Sequence, residues 1–141
     1  MKEPLLILLV LISLSSCQLN WYGDIDLGSN FYYMIGPAFN SIVIPVHPEK
    51  PYSSSIYIVK DVEEIGFNNN LIIAISNDQK AMKYWRINKN EESIKMGYKE
   101  NAVLTLSNVS LIDSLEFYQI KNSEEIHLKS NTDYRQELNY E

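Results

Sequence analysis

The sequence is poor in the residues that form disulfide bonds and metal sites. It has one cysteine and two histidines in 141 residues, so it can close no intramolecular disulfide and assemble no Cys/His zinc cluster of usual spacing. Its five glycines are too scattered to form a phosphate-binding loop. Basic residues are also few: 12 Lys and Arg face 18 Asp and Glu, which gives a formal net charge of -6. This balance disfavours nucleic acid as a partner, and we expect no cofactor.

What the sequence does have is a short apolar run at its N-terminus. Lys2 precedes a run that extends from Leu5 to Leu14 and contains one serine. As a helix these ten positions cover roughly 15 Å, about half of a ~30 Å hydrocarbon core, so the run is too short to span a bilayer. A positive start followed by a short apolar run is typical of a secretory signal peptide.

The residues after this run are Leu14, Ser15, Ser16 and Cys17. They resemble the lipobox of bacterial lipoproteins, in which a leucine and two small residues precede the lipidated cysteine. The resemblance implies cleavage before Cys17, a diacylglycerol thioether on its thiol and a fatty acid such as palmitate on the new amino group. Two or more acyl chains anchor a protein stably. The remaining alternatives are an ordinary signal peptide with an incidental cysteine and an uncleaved anchor.

The lipobox also predicts location and domain boundaries. We expect a signal peptide at 1–16, a lipidated N-terminus and short tether at 17–29, one domain at 30–130 and a polar, frayed tail at 131–141. The domain would be anchored in the cell membrane or the outer membrane and face the periplasm. By resemblance to general sorting rules, Gln18 in place of an aspartate favours the outer membrane.

Alternating and aromatic runs predict strands in most of the domain. The predicted strands are 31–35, 41–46, 56–59, 62–67, 71–75 and 82–88, with a short one near 126–128. The unbroken apolar run 71–75 is expected to be central, and Asn68–Asn70 should close a hairpin before it. Helical spacing between Ser110 and Lys121 predicts a helix, with Ser110 or Asp113 as its cap. The fold class is therefore α+β, a mainly antiparallel sheet of about six strands with one C-terminal helix packed on one face.

A second resemblance rests on three short segments of the predicted domain. Tyr84–Lys89 resembles a strand and turn found in a family of short bacterial lipoproteins of unknown function, which also show an aliphatic run like Leu71–Ala74 and a pair like Tyr32–Tyr33. The resemblance spans about residues 24–128, although Arg86 stands where an aliphatic residue is expected. It implies a location and a fold, and no activity.

No pattern in the sequence predicts catalysis. The segment from Asp24 to Asn30 resembles the start of a calcium loop, but Ile35 occupies the position of the bidentate glutamate, so a polar turn is favoured. Adjacent glutamates, as in Glu63–Glu64, point to opposite faces of a strand and cannot act together. His47 and His127 have no recognisable nucleophile to activate. We therefore expect a protein that is not an enzyme and holds no metal.

Aromatic residues are the one excess, with ten tyrosines and two tryptophans. Most are expected to pack in the sheet. If a binding surface exists, Tyr84 and Arg86 are the best candidates, because they share a strand face opposite Trp85. The sequence thus favours a lipid-anchored envelope domain that binds or scaffolds an unknown protein or small molecule. The alternatives are a periplasmic inhibitor or immunity lipoprotein and, less favoured, a periplasmic enzyme.

Overall fold

The computed structural model describes residues 25–36, 40–45, 55–79, 81–89 and 108–138. These residues form nine strands and two helices. In chain order they are β1 (Ile25–Gly28), β2 (Phe31–Ile35), β3 (Asn40–Pro45), β4 (Ser55–Val59), β5 (Val62–Phe67), β6 (Leu71–Asp78), β7 (Ala81–Asn88), β8 (Val109–Ile112), α1 (Ser114–Ser123), β9 (Lys129–Ser130) and α2 (Asn131–Glu137).

The strands form two antiparallel sheets rather than one. The first sheet has the order β1-β2-β3-β4 and the second has the order β8-β7-β6-β5-β9. The chain passes from the first sheet to the second between β4 and β5, where Asp61 adopts a positive φ of 54° and its carbonyl accepts a hydrogen bond from Asn77 N at 3.0 Å. The predicted α+β class is confirmed, and the expected single sheet is divided at this corner.

The inner core lies between the two sheets. Phe31, Tyr33 and Ile42 from the first sheet meet Ile65 and Ile72 from the second, and all five side chains are fully buried. The outer face of the second sheet forms a smaller core, in which Ile73 and Ile75 of β6 contact Phe117 of α1. Strand β6 is thus covered on both faces and lies in the middle of its sheet, as the apolar run 71–75 predicts.

Helix α1 begins later than the sequence suggests. Residues 110–112, which the prediction included in the helix, instead pair with β7 as part of strand β8. Asp113 is the N-cap, and its side chain accepts a hydrogen bond from Glu116 N at 2.8 Å. The predicted cap at Asp113 is therefore confirmed, and the helix start at Ser110 is wrong because the cross-strand pairs with β7 outweigh the local helical spacing.

Two boundary predictions at the ends of the domain are wrong. Residues 25–28, assigned to the tether, form β1, and Leu27 within it is 1% exposed. The segment assigned to a frayed tail forms helix α2, which is fixed by a capping box between Ser130 and Asp133 and buries Tyr134. An apolar anchor and a cap together stabilise a helix that would be too short to persist alone.

The predicted strand near 126–128 is displaced to Lys129–Ser130. The preceding residues instead cross Gly66 of β5 at very short range: a Cβ atom on Gly66 would lie 2.5 Å from Ile126 Cγ2 and 2.6 Å from the His127 carbonyl oxygen. Gly66 therefore permits the close approach that seats Ile126 in the outer core.

Candidate functional site

An open cleft lies at one end of the two-sheet core. The β1–β2 hairpin, the β5–β6 hairpin and the end of β7 meet there. The cleft has a volume of about 450 Å³, within the range of small-molecule sites. We name it the Lys89 cleft; its lining residues are Asp26, Leu27, Gly28, Phe67, Asn68, Asn69 and Lys89.

The β5–β6 turn forms one wall of the Lys89 cleft. The side-chain oxygen of Asn68 accepts hydrogen bonds from Asn70 N at 2.8 Å and Leu71 N at 2.9 Å, which closes the turn locally. The backbone N–H of Lys89 donates to the Asn70 carbonyl at 2.8 Å and joins the end of β7 to this turn. The predicted hairpin is confirmed, and it closes through the Asn68 side chain; the turn residues have no positive φ.

The β1–β2 turn forms the opposite wall. Gly28, Ser29 and Asn30 have positive φ values of 84°, 54° and 64°, and the pairing register shifts between Asp26 and Gly28. The Asp26 carboxylate accepts a hydrogen bond from Gly28 N at 2.8 Å. This carboxylate stabilises the irregular turn and also lines the cleft, so its position is set by the backbone.

Lys89 is the buried charged residue of this site. The residue is 7% exposed, and Nζ donates a hydrogen bond to the Asn68 carbonyl oxygen at 2.5 Å. Nζ also lies 5.1 Å from the centroid of the Phe67 ring, a cation–π contact. Burial lowers the pKa of the Lys89 ammonium, and the nearby Asp26 charge opposes that shift.

The absence of a side chain at Gly28 leaves room for this ammonium. A Cβ atom built on Gly28 would lie 3.2 Å from Lys89 Nζ. Among the described residues, the Asn68 carbonyl is the hydrogen-bond acceptor of Nζ, and no carboxylate forms an ion pair with it. A lysine is seldom buried without a charged partner, because desolvation of the ammonium is costly. A hydrogen-bond acceptor that enters the cleft would therefore offset part of the desolvation cost of the Lys89 ammonium.

The residues selected from the sequence, Tyr84 and Arg86, lie elsewhere. They share the outer face of β7, as the alternation predicts, but α1 packs against that face. The Tyr84 ring lies 5.1 Å from the Phe117 ring, and Arg86 Nη1 donates to Glu116 Oε1 at 2.9 Å. Both side chains are half-buried and contact the helix. The lipidation candidate Cys17 and the histidine His47 lie outside the described residues, and His127 is exposed.

Sequence reasoning missed Lys89, although a signal was present. The alternation of β7 sends Trp85 and Ile87 toward the inner core. Continued for one more step, the same alternation assigns Lys89 to the inward face, directly after the last strand residue. The resemblance of Tyr84–Lys89 to a strand and turn predicts no binding role for Lys89.

The described residues thus form an α+β domain with two stacked sheets, an outer helix and an open cleft at one end. Comparison with protein-family models, with curated proteins and with solved structures finds no match for this chain. The described residues contain no helix long and apolar enough to cross a membrane. They also contain no cluster of three or more His, Cys, Asp or Glu side chains that could hold a metal ion.

Proposed function

We propose that this protein is a lipid-anchored, noncatalytic binding domain of the bacterial cell envelope. The observation that carries the binding role is the Lys89 cleft, an open site whose lining includes the buried residue Lys89. The anchor is the acylated Cys17 implied by the lipobox resemblance, and the partner is a small molecule that enters the cleft.

The lining of the cleft supports binding over catalysis. Its described side chains offer one ammonium, one carboxylate, two amides and a phenyl ring. Catalysis by a hydroxyl or thiol nucleophile would need Ser, Thr, Tyr or Cys beside a general base, and none of the described residues that line the cleft is one of these. Hydrogen bonds to the turns hold Asp26, Asn68 and Lys89 in place, so these groups are well suited to fixing the orientation of a ligand.

The length of chain before β1 supports a domain that stays close to the membrane. Eight residue steps separate Cys17 from Ile25, so this segment can reach at most about 28 Å. A short anchor would thus hold the domain close to the bilayer.

The anchoring part of the proposal is tested by changing Cys17 to Ser in cells grown with labelled fatty acid. The wild-type protein should take up label and fractionate with membranes. Cys17→Ser should lose the label because it removes the thiol that accepts the lipid.

Ser16→Ala is the matched control. It keeps a small residue before the cysteine and should be labelled like the wild type. An unlabelled wild type, or a Cys17→Ser variant that retains the label, would contradict the proposed anchor.

A further inference from the structure

We propose that the Lys89 cleft binds a zwitterionic α-amino acid, whose carboxylate pairs with Lys89 and whose ammonium faces Asp26. This inference rests on the proposed binding function and specifies its ligand class. It depends on the charges, the spacing and the apolar surface of the described residues that line the cleft.

The first element is the buried cation. Lys89 Nζ has three N–H donors, and the described residues provide one acceptor, the Asn68 carbonyl oxygen at 2.5 Å. Lys89 lines the cleft, and the residue as a whole is 7% exposed. A carboxylate that enters the cleft can accept a charge-assisted hydrogen bond and compensate for the desolvation of this ammonium.

The second element is a carboxylate of the protein at a short distance from that cation. Asp26 Oδ1 is 2.8 Å from Gly28 N, and Lys89 Nζ would be 3.2 Å from a Cβ atom on Gly28. With an N-to-Cβ separation of about 2.5 Å, the distance between Asp26 Oδ1 and Lys89 Nζ is at most about 8.5 Å. An α-amino acid that makes one hydrogen bond to each group reaches up to roughly 8 Å, because its own charges are about 3 Å apart, so it is long enough to contact both.

The third element is an apolar wall. Phe67, the last residue of β5, lines the cleft and is 36% exposed. Lys89 Nζ lies over its ring. The exposed part of this ring can cover an aliphatic side chain of the ligand. Leucine is therefore expected to bind more tightly than glycine.

The charge pattern also separates this ligand class from others. A ligand with two negative charges would meet one cation, the Asp26 carboxylate and a chain of net charge -6. A neutral sugar could form hydrogen bonds with both groups but would bring no opposite charge to either of them. A zwitterion matches both groups, so its recognition requires no change in the net charge of the site.

The test uses the full chain in detergent micelles and three related probes. L-leucine carries both charges, 4-methylpentanoate lacks the ammonium, and 3-methylbutylamine lacks the carboxylate; glucose is the neutral probe. Proton–nitrogen NMR spectra report where each probe binds and how tightly. We expect leucine to shift the Gly28, Asn69 and Lys89 amides with a dissociation constant of about 1 mM or tighter, and the other probes to bind at least about fivefold more weakly.

Two substitutions separate the roles of the charges. Asp26→Asn keeps an oxygen for Gly28 N and should weaken leucine binding about fivefold without weakening 4-methylpentanoate. Lys89→Met keeps an unbranched side chain but removes the ammonium, and it should weaken both probes by at least about tenfold. Lys60→Met is the matched control: Lys60 is an exposed lysine over the Tyr57 ring, 5.5 Å from its centroid, at the β4–β5 corner, and its loss should change neither affinity.

The outcomes distinguish this inference from the proposed function. Equal binding of leucine and 4-methylpentanoate, or an Asp26→Asn variant that binds leucine normally, would overturn the zwitterion assignment and leave a carboxylate-binding cleft. Preferential binding of glucose would also overturn it and retain a binding domain with another ligand. If none of the four probes shifts the cleft amides, the assignment is wrong, whatever the acylation of Cys17 shows. If Lys89→Met fails to give a folded spectrum, Asp26→Asn decides the result.

Discussion

Helix α2 lies where the sequence predicts a frayed tail, so its contribution to stability should be much larger than expected. Tyr134, its central anchor, is 6% exposed, and its ring meets the Tyr33 ring edge-on at 5.7 Å between centroids. Truncation of a large buried aromatic side chain to alanine costs about 3–5 kcal/mol, which includes a contribution of about 0.5–1.5 kcal/mol from such a ring pair. In a frayed tail, as predicted from the sequence, the same substitution would cost little.

We therefore expect Tyr134→Ala to lower the free energy of unfolding by about 3–4 kcal/mol. The measurement is urea denaturation of the chain without residues 1–17, followed by circular dichroism, with the midpoint falling at an unchanged slope. Gln136→Ala is the control, because Gln136 is exposed on the same helix and should change stability by less than about 0.5 kcal/mol. If the two variants unfold at the same urea concentration, the docking of α2 on the core is refuted.

Three further predictions follow from burial and charge. Ile73→Ala should cost about 2–5 kcal/mol in urea melts because Ile73 is fully buried, whereas Leu115→Ala, at 69% exposure, should cost little; equal losses would contradict the central position of β6. Burial, with the nearby acidic side chains, raises the pKa of Tyr134 from 10.0 to about 12. The unfolded chain loses this proton first, so stability should fall as pH rises from about 10 towards 12, and Tyr134→Phe should reduce that fall in pH-dependent melts. Glu116→Gln should cost at most about 1 kcal/mol, an effect that salt diminishes, because its ion pair with Arg86 is partly exposed; a larger loss would show that α1 depends on this pair.

The elements with strong local patterns could be predicted from the sequence. Strand β6 is a continuous apolar run, and its central place follows from the need to bury both faces. The cap at Asp113 is also a local feature, because its carboxylate bonds to a backbone N–H three residues ahead. In both cases the residues that determine the structure are neighbours in the chain.

The division into two sheets could not be predicted in this way. The corner at Asp61 is a short polar turn with a positive φ, and such a turn is equally compatible with an ordinary hairpin. Helix α2 is too short to show a helical period, and its stability depends on Tyr134 meeting a residue of β2 that is distant in sequence. Both features depend on tertiary contacts.

The Lys89 cleft depends on contacts of the same kind. Its charged residues, Asp26 and Lys89, are far apart in the sequence and are brought together by a turn at Gly28 and a hairpin at Asn68. The sequence drew attention instead to Tyr84 and Arg86, whose residue types favour binding but which α1 contacts in the folded chain. Residue type alone therefore did not identify the cleft.

The central claim, a binding domain held to the envelope by lipid, is tested most directly by mass spectrometry of the N-terminal peptide of the mature protein. The account predicts that Cys17 is the first residue, with a diacylglyceryl group on its sulfur and a fatty acid on its amino group. An unmodified Cys17, or a mature protein that begins at another residue, would contradict the account.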